Sequence, residues 1–309
     1  GRRVGRCAGL GVEVRARRGR VVGRSGRDGK AENRRTILAA RCHNPAERFA
    51  DIVTEDDATL VRWVEIEQFK GAPVTTLKSA PLNVSEWLTK WLWNRVPCVL
   101  LSATMSVNGS FDYIQSRIGL EEASTLIVGT PFNLATQALL YLAPANDPHP
   151  SKEASAWRQV AQAKMKMLVD AAGGGALLLF TSRKAMQEAY TALSPSFEAK
   201  GFTCFMQGNR EHGTNKVIAA KFSADTHSVM FGLKSFMTGV DFQGDTCRLV
   251  VVDKLPFAVP TDVMFNARCQ DVNRKAGGRD VSFNKMAIPG MTGPLQQAFG
   301  RLIRPVTDR

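Results

Sequence analysis

The sequence lacks the features that define several large classes of protein. Its uninterrupted apolar runs, such as 176–180 and 249–252, fall far short of the roughly 20 residues that cross a bilayer as a helix, so no membrane span is expected. Six cysteines (Cys7, Cys42, Cys98, Cys204, Cys247 and Cys269) occur without any CxxC pair. That spacing codes for neither a zinc or iron–sulfur site nor a disulfide scaffold, and it fits a reducing cytoplasm. The four histidines, His43, His149, His212 and His227, show no ligand spacing and none stands in a nucleophile motif. A metal-dependent or acid–base hydrolase is therefore a poor reading. Residues 1–30 are short of large apolar side chains, being mostly Arg and Gly with a few Val. They cannot offset their ordering entropy and are expected to be disordered, and they lack the apolar stretch of a secretory signal.

Acidic residues are also scarce, but only in one place. The chain of 309 residues holds 41 Lys and Arg against 28 Asp and Glu; residues 1–50 hold 14 and 4 of these, leaving 27 against 24 for the rest. The basic excess thus belongs to a low-complexity tail, read either as a phosphate-binding arm or as a solvated extension, and the remainder is nearly balanced. With 44% apolar and 22% charged residues that remainder can bury a full core.

From about Leu60, short β-branched apolar runs alternate with segments of helical period. Strands are expected at 98–102, 126–128, 137–142, 176–181, 202–206, 228–233 and 248–253. A helix from Lys152 to about Ala171 carries Trp157, Val160, Ala161, Met165, Leu168 and Val169 on one stripe and stops at the glycines 173–175, and another runs from Lys184 to Leu193. This alternation predicts an α/β fold with a mostly parallel sheet, helices on both faces, and ligands at the carboxyl ends of the strands.

The strongest chemical signal is Gln297-Ala-Phe-Gly300-Arg301-Leu-Ile-Arg304. On one helix Gln297, Arg301 and Arg304 would project at 0°, about 40° and about −20°, so an amide and two guanidiniums share a face, with Gly300 allowing close approach. Such a set suits a polyphosphate whose charge is stabilised during transfer; an exposed basic helix face is the plain alternative. Ser102-Ala-Thr104 follows an apolar run with small hydroxyl residues able to relay hydrogen bonds, or is simply a strand ending in a turn. Thr181-Ser182-Arg183 stands between a strand and a helix, where it can grip a nucleic-acid phosphate or merely cap the helix. Gln207, after the next strand, could touch the same backbone or sit in a turn. The loop 235–245 contains Gly239, Asp241, Gly244 and Asp245 and can bend under a nucleotide, with Asp241 accepting from a ribose hydroxyl or facing the arginines.

These stretches together resemble the carboxyl-terminal half of the DinG/XPD-like group of superfamily 2 DNA helicases, over about Trp63 to Arg309. Residues 100–105 (LLSATM) resemble helicase motif III, 178–183 (LLFTSR) motif IV, 239–245 (GVDFQGD) motif V and 297–304 (QAFGRLIR) motif VI, while 253–257 (DKLPF) is similar to a segment typical of the group. Met237-Thr238 departs from the group's Trp-Glu, and Pro305 is expected to end the last helix at Arg304. The resemblance implies a RecA-like α/β fold, with 1–50 a basic tail, 51–124 a remnant of a first RecA-like domain and 125–309 a second. It implies ATP and Mg2+ as cofactors and single-stranded DNA as partner. Arg301, Arg304 and Gln297 would be catalytic; Gly239, Asp241, Asp245 and Gly300 would bind nucleotide; and Ser102, Thr104, Thr181, Ser182, Arg183 and Gln207 would bind nucleic acid or couple the two.

Neither a P-loop nor a DEAH box is found. Residues 23–31 (GRSGRDGKA) have one residue too many and Ala31 where Ser or Thr must reach the metal, and 54–58 (TEDDA) lack a preceding apolar strand. The expected protein is therefore part of an ATP-dependent DNA helicase, with the amino-terminal RecA-like domain and its Mg2+ ligands missing, no iron–sulfur cluster in this chain, a sheet lacking its last edge strand, and little activity alone. The alternative is a non-catalytic nucleic-acid-binding protein with a RecA-like fold, held to DNA chiefly by the basic arm.

Overall fold

The computed structural model describes residues 59–69, 71–237, 242 and 244–302. Expectations for the tail, the P-loop-like stretch and the acidic stretch at 54–57 lie outside the described residues, as do Gly239, Asp241 and Arg304. The chain divides into two compact units, Gly1–Asn83 and Val84–Arg309. In the first, β1 (Leu60–Phe69) and β2 (Ala72–Pro81) form an antiparallel hairpin registered from Leu60 opposite Pro81 to Phe69 opposite Ala72. Gly71 turns it at φ 84°, a conformation open to glycine.

The second unit begins with α1 (Ser85–Leu88), which runs on as a π-helical turn over Thr89–Trp93, followed by α2 (Asp112–Ile118) and the short α3 (Leu134–Gln137). Trp93 donates from Nε1 to the Ile118 carbonyl at 2.6 Å, pinning α1 to the end of α2. The helix α4 (Ala154–Ala172) ends as its sequence indicates, on Gly173 at φ 67°. Then follow β3 (Ala176–Leu179), α5 (Arg183–Glu198), β4 (Thr203–Met206), α6 (Asn215–Ser223), β5 (Ser228–Gly232), α7 (Lys234–Met237), β6 (Leu249–Val252), α8 (Val263–Lys275), a π-helical turn at Phe283–Ala287 and α9 (Ile288–Phe299).

The four strands of this unit are parallel in the order β4-β5-β3-β6. Because side chains alternate along β3, Ala176 and Leu178 face α4 and α5 in one core layer with Met165, Val169, Met186, Leu193 and Phe197. Leu177 and Leu179 face the other layer, with Ile218 and Phe222 of α6, Phe236 and Ala298 of α9. This is the α/β, RecA-like arrangement the sequence implies. The helix α5 outlasts its expected end at Leu193 and runs through Pro195 to Glu198. The fully buried Phe197 ring, worth about 2–3 kcal/mol, opposes the cost of proline within the helix.

Three expected strands are not strands. Residues 98–102 and 126–128 carry no ladder bonds, and 137–142 begins on the last residue of α3 and continues without pairing. Among the described residues no strand pairs with them, and their apolar side chains remain outside: Val99 is 83% exposed, Leu101 89% and Leu139 92%. Among the described strands β6 is an edge, and an apolar groove of about 650 Å³ follows it, lined by Leu139, Leu140, Trp157, Leu168, Val250 and Phe299.

Candidate functional site

Of the residues singled out by sequence, the carboxyl ends of the strands carry Thr181, Ser182, Arg183 and Gln207. Ser182 is the N-cap of α5, its hydroxyl accepting from the Ala185 N–H at 3.2 Å, so the capping role is realised. Thr181 leaves β3 with its backbone N–H donated to Asp253 Oδ1 at 3.1 Å. The guanidinium of Arg183 crosses to the loop after β4, where Gly208 has φ +80° and an added Cβ would stand 2.8 Å from Arg183 Nη1. The positive φ favours glycine at this position, and the arginine side chain lies over it.

Gln207 is buried, and both ends of its amide are engaged. Oε1 accepts from the Leu233 N–H at 2.8 Å and Nε2 donates to Ser235 Oγ at 2.7 Å. It braces the loop after β4 to the loop after β5. Asp253, at the end of β6, was legible only as part of the 253–257 segment, with no role attached. Among the described residues its Oδ2 is buried without a hydrogen-bond partner, and burial pushes the carboxyl up to about 6, opposed in smaller measure by the charge of Lys254 and by the backbone N–H groups of Thr181 and Lys254. Lys254 stacks its ammonium 4.5 Å from the Trp157 ring centroid. A carboxylate directly after a β-branched run, at a parallel-sheet end, was the available signal for Asp253.

The second group joins residues nearly two hundred positions apart. Gln297 Nε2 donates to Thr104 Oγ1 at 3.3 Å, and Thr104 in turn lies 3.4 Å from Ser102 Oγ, which accepts the Thr104 N–H at 3.2 Å. Ser102, Thr104 and Gln297 therefore form one hydrogen-bonded chain beside a cavity of about 430 Å³ that Met105, Tyr113 and Gly293 also line. Helix α9 stops at Phe299, with Gly300 as its C-cap at φ −64° and ψ 1°, and not at Arg304. Arg301 consequently sits in a turn and is 7% exposed, so the helix that presents Gln297 does not extend to Arg301. The low helix propensity of Gly300 supplies the stop. A Cβ on Gly300 would meet only the Gln296 and Gln297 carbonyl oxygens, at 3.4 and 3.6 Å, so crowding from other elements does not explain the glycine.

Asp245 lies elsewhere. Its carbonyl oxygen stands 2.7 Å from where a Gly175 Cβ would be, just before β3 begins. That is the amino end of the strand, opposite Thr181. Among the described residues no three His, Cys, Asp or Glu side chains gather as a metal site, and no helix is long and apolar enough to cross a membrane.

Residues 165–309 match the helicase C-terminal domain family. The chain is 34% identical over 256 residues to the ATP-dependent helicase DinG of Mycobacterium tuberculosis, covering 82% of this chain and 37% of that protein. It is 32% identical over 236 residues to the ATP-dependent DNA helicase YoaA of Escherichia coli, covering 76% of this chain and 35% of that one. It is 25% identical over 259 residues to the 3'-5' exonuclease DinG of Bacillus subtilis, covering 83% and 27% respectively. The chain spans about a third of the length of these curated relatives.

Proposed function

The chain belongs to the DinG-like group of superfamily 2 helicases, carrying its helicase C-terminal domain, and from that premise we propose that it supplies one half of an ATP-driven motor on single-stranded DNA. The observation that carries the reading is the Gln297–Thr104 hydrogen bond. It ties the motif VI glutamine to the motif III hydroxyl pair, so that a change at a bound nucleotide is passed through two hydroxyls to the surface beyond.

ATP, when bound, supplies the phosphoryl-transfer energy. From this chain Arg301 and Gln297, with Arg304, would meet its phosphates; a near-buried guanidinium and an amide fit that ligand because both donate and neither adds negative charge. The described residues offer no Mg2+ cage, and the metal's ligands are assigned to a first RecA-like domain with the P-loop. Exposed apolar side chains such as Val99, Leu101, Leu126 and Val128 support such a partner, since bare runs of this kind are docking surfaces. Thr181, Ser182 and Arg183 hold the DNA backbone through a helix N-terminus, a hydroxyl and a cation.

The test is single-stranded-DNA-stimulated ATP hydrolysis by the chain alone and by the chain joined to a DinG-type P-loop half. We expect background hydrolysis from the chain alone and a stimulated rate from the joined protein, lowered about a thousandfold by Arg301→Ala. Robust hydrolysis by the chain alone, or an Arg301→Ala joined protein as active as its parent, overturns the proposal.

A further inference from the structure

Helix α9 joins a weak amino-terminal half to a stronger carboxyl-terminal one. Residues 295–299 contain neither glycine nor proline, whereas 288–294 hold Pro289, Gly290, Gly293 and Pro294. Pro294 has no N–H, so the Gly290 carbonyl four residues back receives no bond from it. The Thr292 hydroxyl donates to the Ile288 carbonyl at 2.9 Å, a bond of the kind that bends helices. A π-helical turn at Phe283–Ala287 directly precedes the weak half, so 288–293 lie between two places where helices bend.

The two glycines of this half differ. A Cβ at Gly290 would stand 3.3 Å from Tyr113 Oη, so close approach to α2 accounts for that one. At Gly293 a Cβ would meet nothing within 4 Å among the described residues, and the backbone there is helical. Neither crowding nor a positive φ calls for glycine at 293; what it adds is freedom to bend. Room for bending is present, because the cavity of about 430 Å³ runs along the weak half, with Pro289, Gly290, Gly293 and Pro294 on one side and Tyr113 and Ile114 of α2 on the other. The halves are also attached to different parts of the unit. Ala298 is buried in the core layer with Leu177 and Leu179 of β3, while Gly290 lies against Tyr113 of α2.

We propose that Gly293 and Pro294 are positioning residues for Gln297: α9 bends at this pair, so that the sheet-bound half carries Gln297 onto and off Thr104 while 288–293 stay with α2. Gln297 stands one turn beyond the bend, and its Nε2 is 3.3 Å from Thr104 Oγ1, a length at which a small rotation breaks the bond. This role rests on the motor reading above, in which that bond couples the nucleotide to the surface beyond, and it names the joint on which the coupling turns.

The experiment stiffens the joint. Gly293→Ala fits the open space and favours the helix, so the thermal midpoint of the full chain is expected to rise by about 2–4 °C. In the parent chain the amides of 295–297, whose bonds cross the bend, are expected to exchange hydrogen about tenfold faster than those of 165–169 in α4, and Gly293→Ala slows them about fivefold. In the chain joined to a DinG-type P-loop half, Gly293→Ala lowers the single-stranded-DNA-stimulated kcat for ATP about tenfold and leaves KM at the parent value. A merely structural glycine would give the added stability without the lost turnover. Pro294→Ala, which returns a donor to the Gly290 carbonyl, acts in the same direction and is the second variant. If the joined parent is stimulated and both variants turn over as it does, the bend is wrong and the motor reading survives. Midpoints lowered in both variants also overturn the bend, since the fold itself would then require the glycine and the proline. A joined parent without stimulation overturns the motor reading, and the exchange rates of the chain alone then decide the bend: 295–297 exchanging as slowly as 165–169 overturns it.

Discussion

Two regions of the Val84–Arg309 unit are built from the same kind of sequence and end differently. The runs at 176–179 and 228–232 are buried strands, clad by α4 and α5 on one face and by α6 and α9 on the other. The runs at 98–102, 126–128 and 138–142 are equally apolar and remain unpaired, with their leucines and valines largely in solvent. The difference shows that an apolar β-branched run is only an offer to pair: the hydrogen-bonding neighbour and the covering helix decide whether a strand forms. Substitution should break the comparison most sharply. Phe222→Ala, deep in the closed layer, is expected to cost about 3–5 kcal/mol, whereas Leu139→Ala should stay within about 0.5 kcal/mol of the parent in denaturant unfolding. Joined to a P-loop half, Leu101→Ala should become costly if that half covers the run; an unchanged cost would detach the run from the proposed interface.

Asp253 sharpens the same contrast from within the closed region, because one of its carboxylate oxygens is buried there without a partner among the described residues. Its folded-state carboxyl titrates near 6, above the usual aspartate range, so the native state holds a proton that the unfolded chain has already lost between about pH 4 and 6. Stability contributed at this site therefore falls as pH rises through that window and stays low above it. Asp253→Asn keeps an oxygen to accept the Thr181 N–H and carries no charge. It should unfold about 2–3 kcal/mol less readily than the parent at pH 7 and by nearly the same free energy below pH 4. Two unfolding curves that differ equally at both pH values would show that the charge of Asp253 is not what the fold resists.

The closed region is also the part that its sequence describes well. The four parallel strands, the α4 stripe and its stop at Gly173 follow from period and glycine alone, because each run there meets a partner of the kind its pattern anticipates. The hairpin of β1 and β2 was not legible: Pro73 and Pro81 lie in β2, and proline demotes a run as a strand. Among site residues, the order of the motifs pointed to Gln297, Thr104 and Ser102, and their side chains meet. Helical angles misplaced Arg301, since Gly300 ends α9 before the arginine is reached. Gln207 was seen as a polar residue after a strand, a description that cannot distinguish a side chain turned outward from one bonded to Leu233 and Ser235. Asp245 was grouped with its loop, yet the chain carries it to the amino end of β3. Tertiary direction, which no linear spacing encodes, accounts for each of these.

Thr181 and Ser182 give the smallest and most discriminating test, because the sequence allowed both a cap and a phosphate grip and the structure separates the two hydroxyls. The Ser182 hydroxyl accepts from Ala185 N–H, satisfying a donor that the first turn of α5 would otherwise leave open. The Thr181 hydroxyl makes no hydrogen bond among the described residues; only its backbone N–H is used, by Asp253. Ser182→Ala should therefore cost about 1 kcal/mol of stability, and Ser182→Gly only a few tenths beyond its backbone effect, since glycine is itself a tolerated N-cap. Thr181→Ala should leave stability within about 0.5 kcal/mol and instead weaken single-stranded DNA, because a hydroxyl unused by the fold is the one left for an incoming phosphate. If Thr181→Ala destabilises as much as Ser182→Ala while DNA affinity is unmoved, the threonine is a second structural group, and the grip at the end of β3 reduces to Arg183 and the open N–H groups of the α5 terminus.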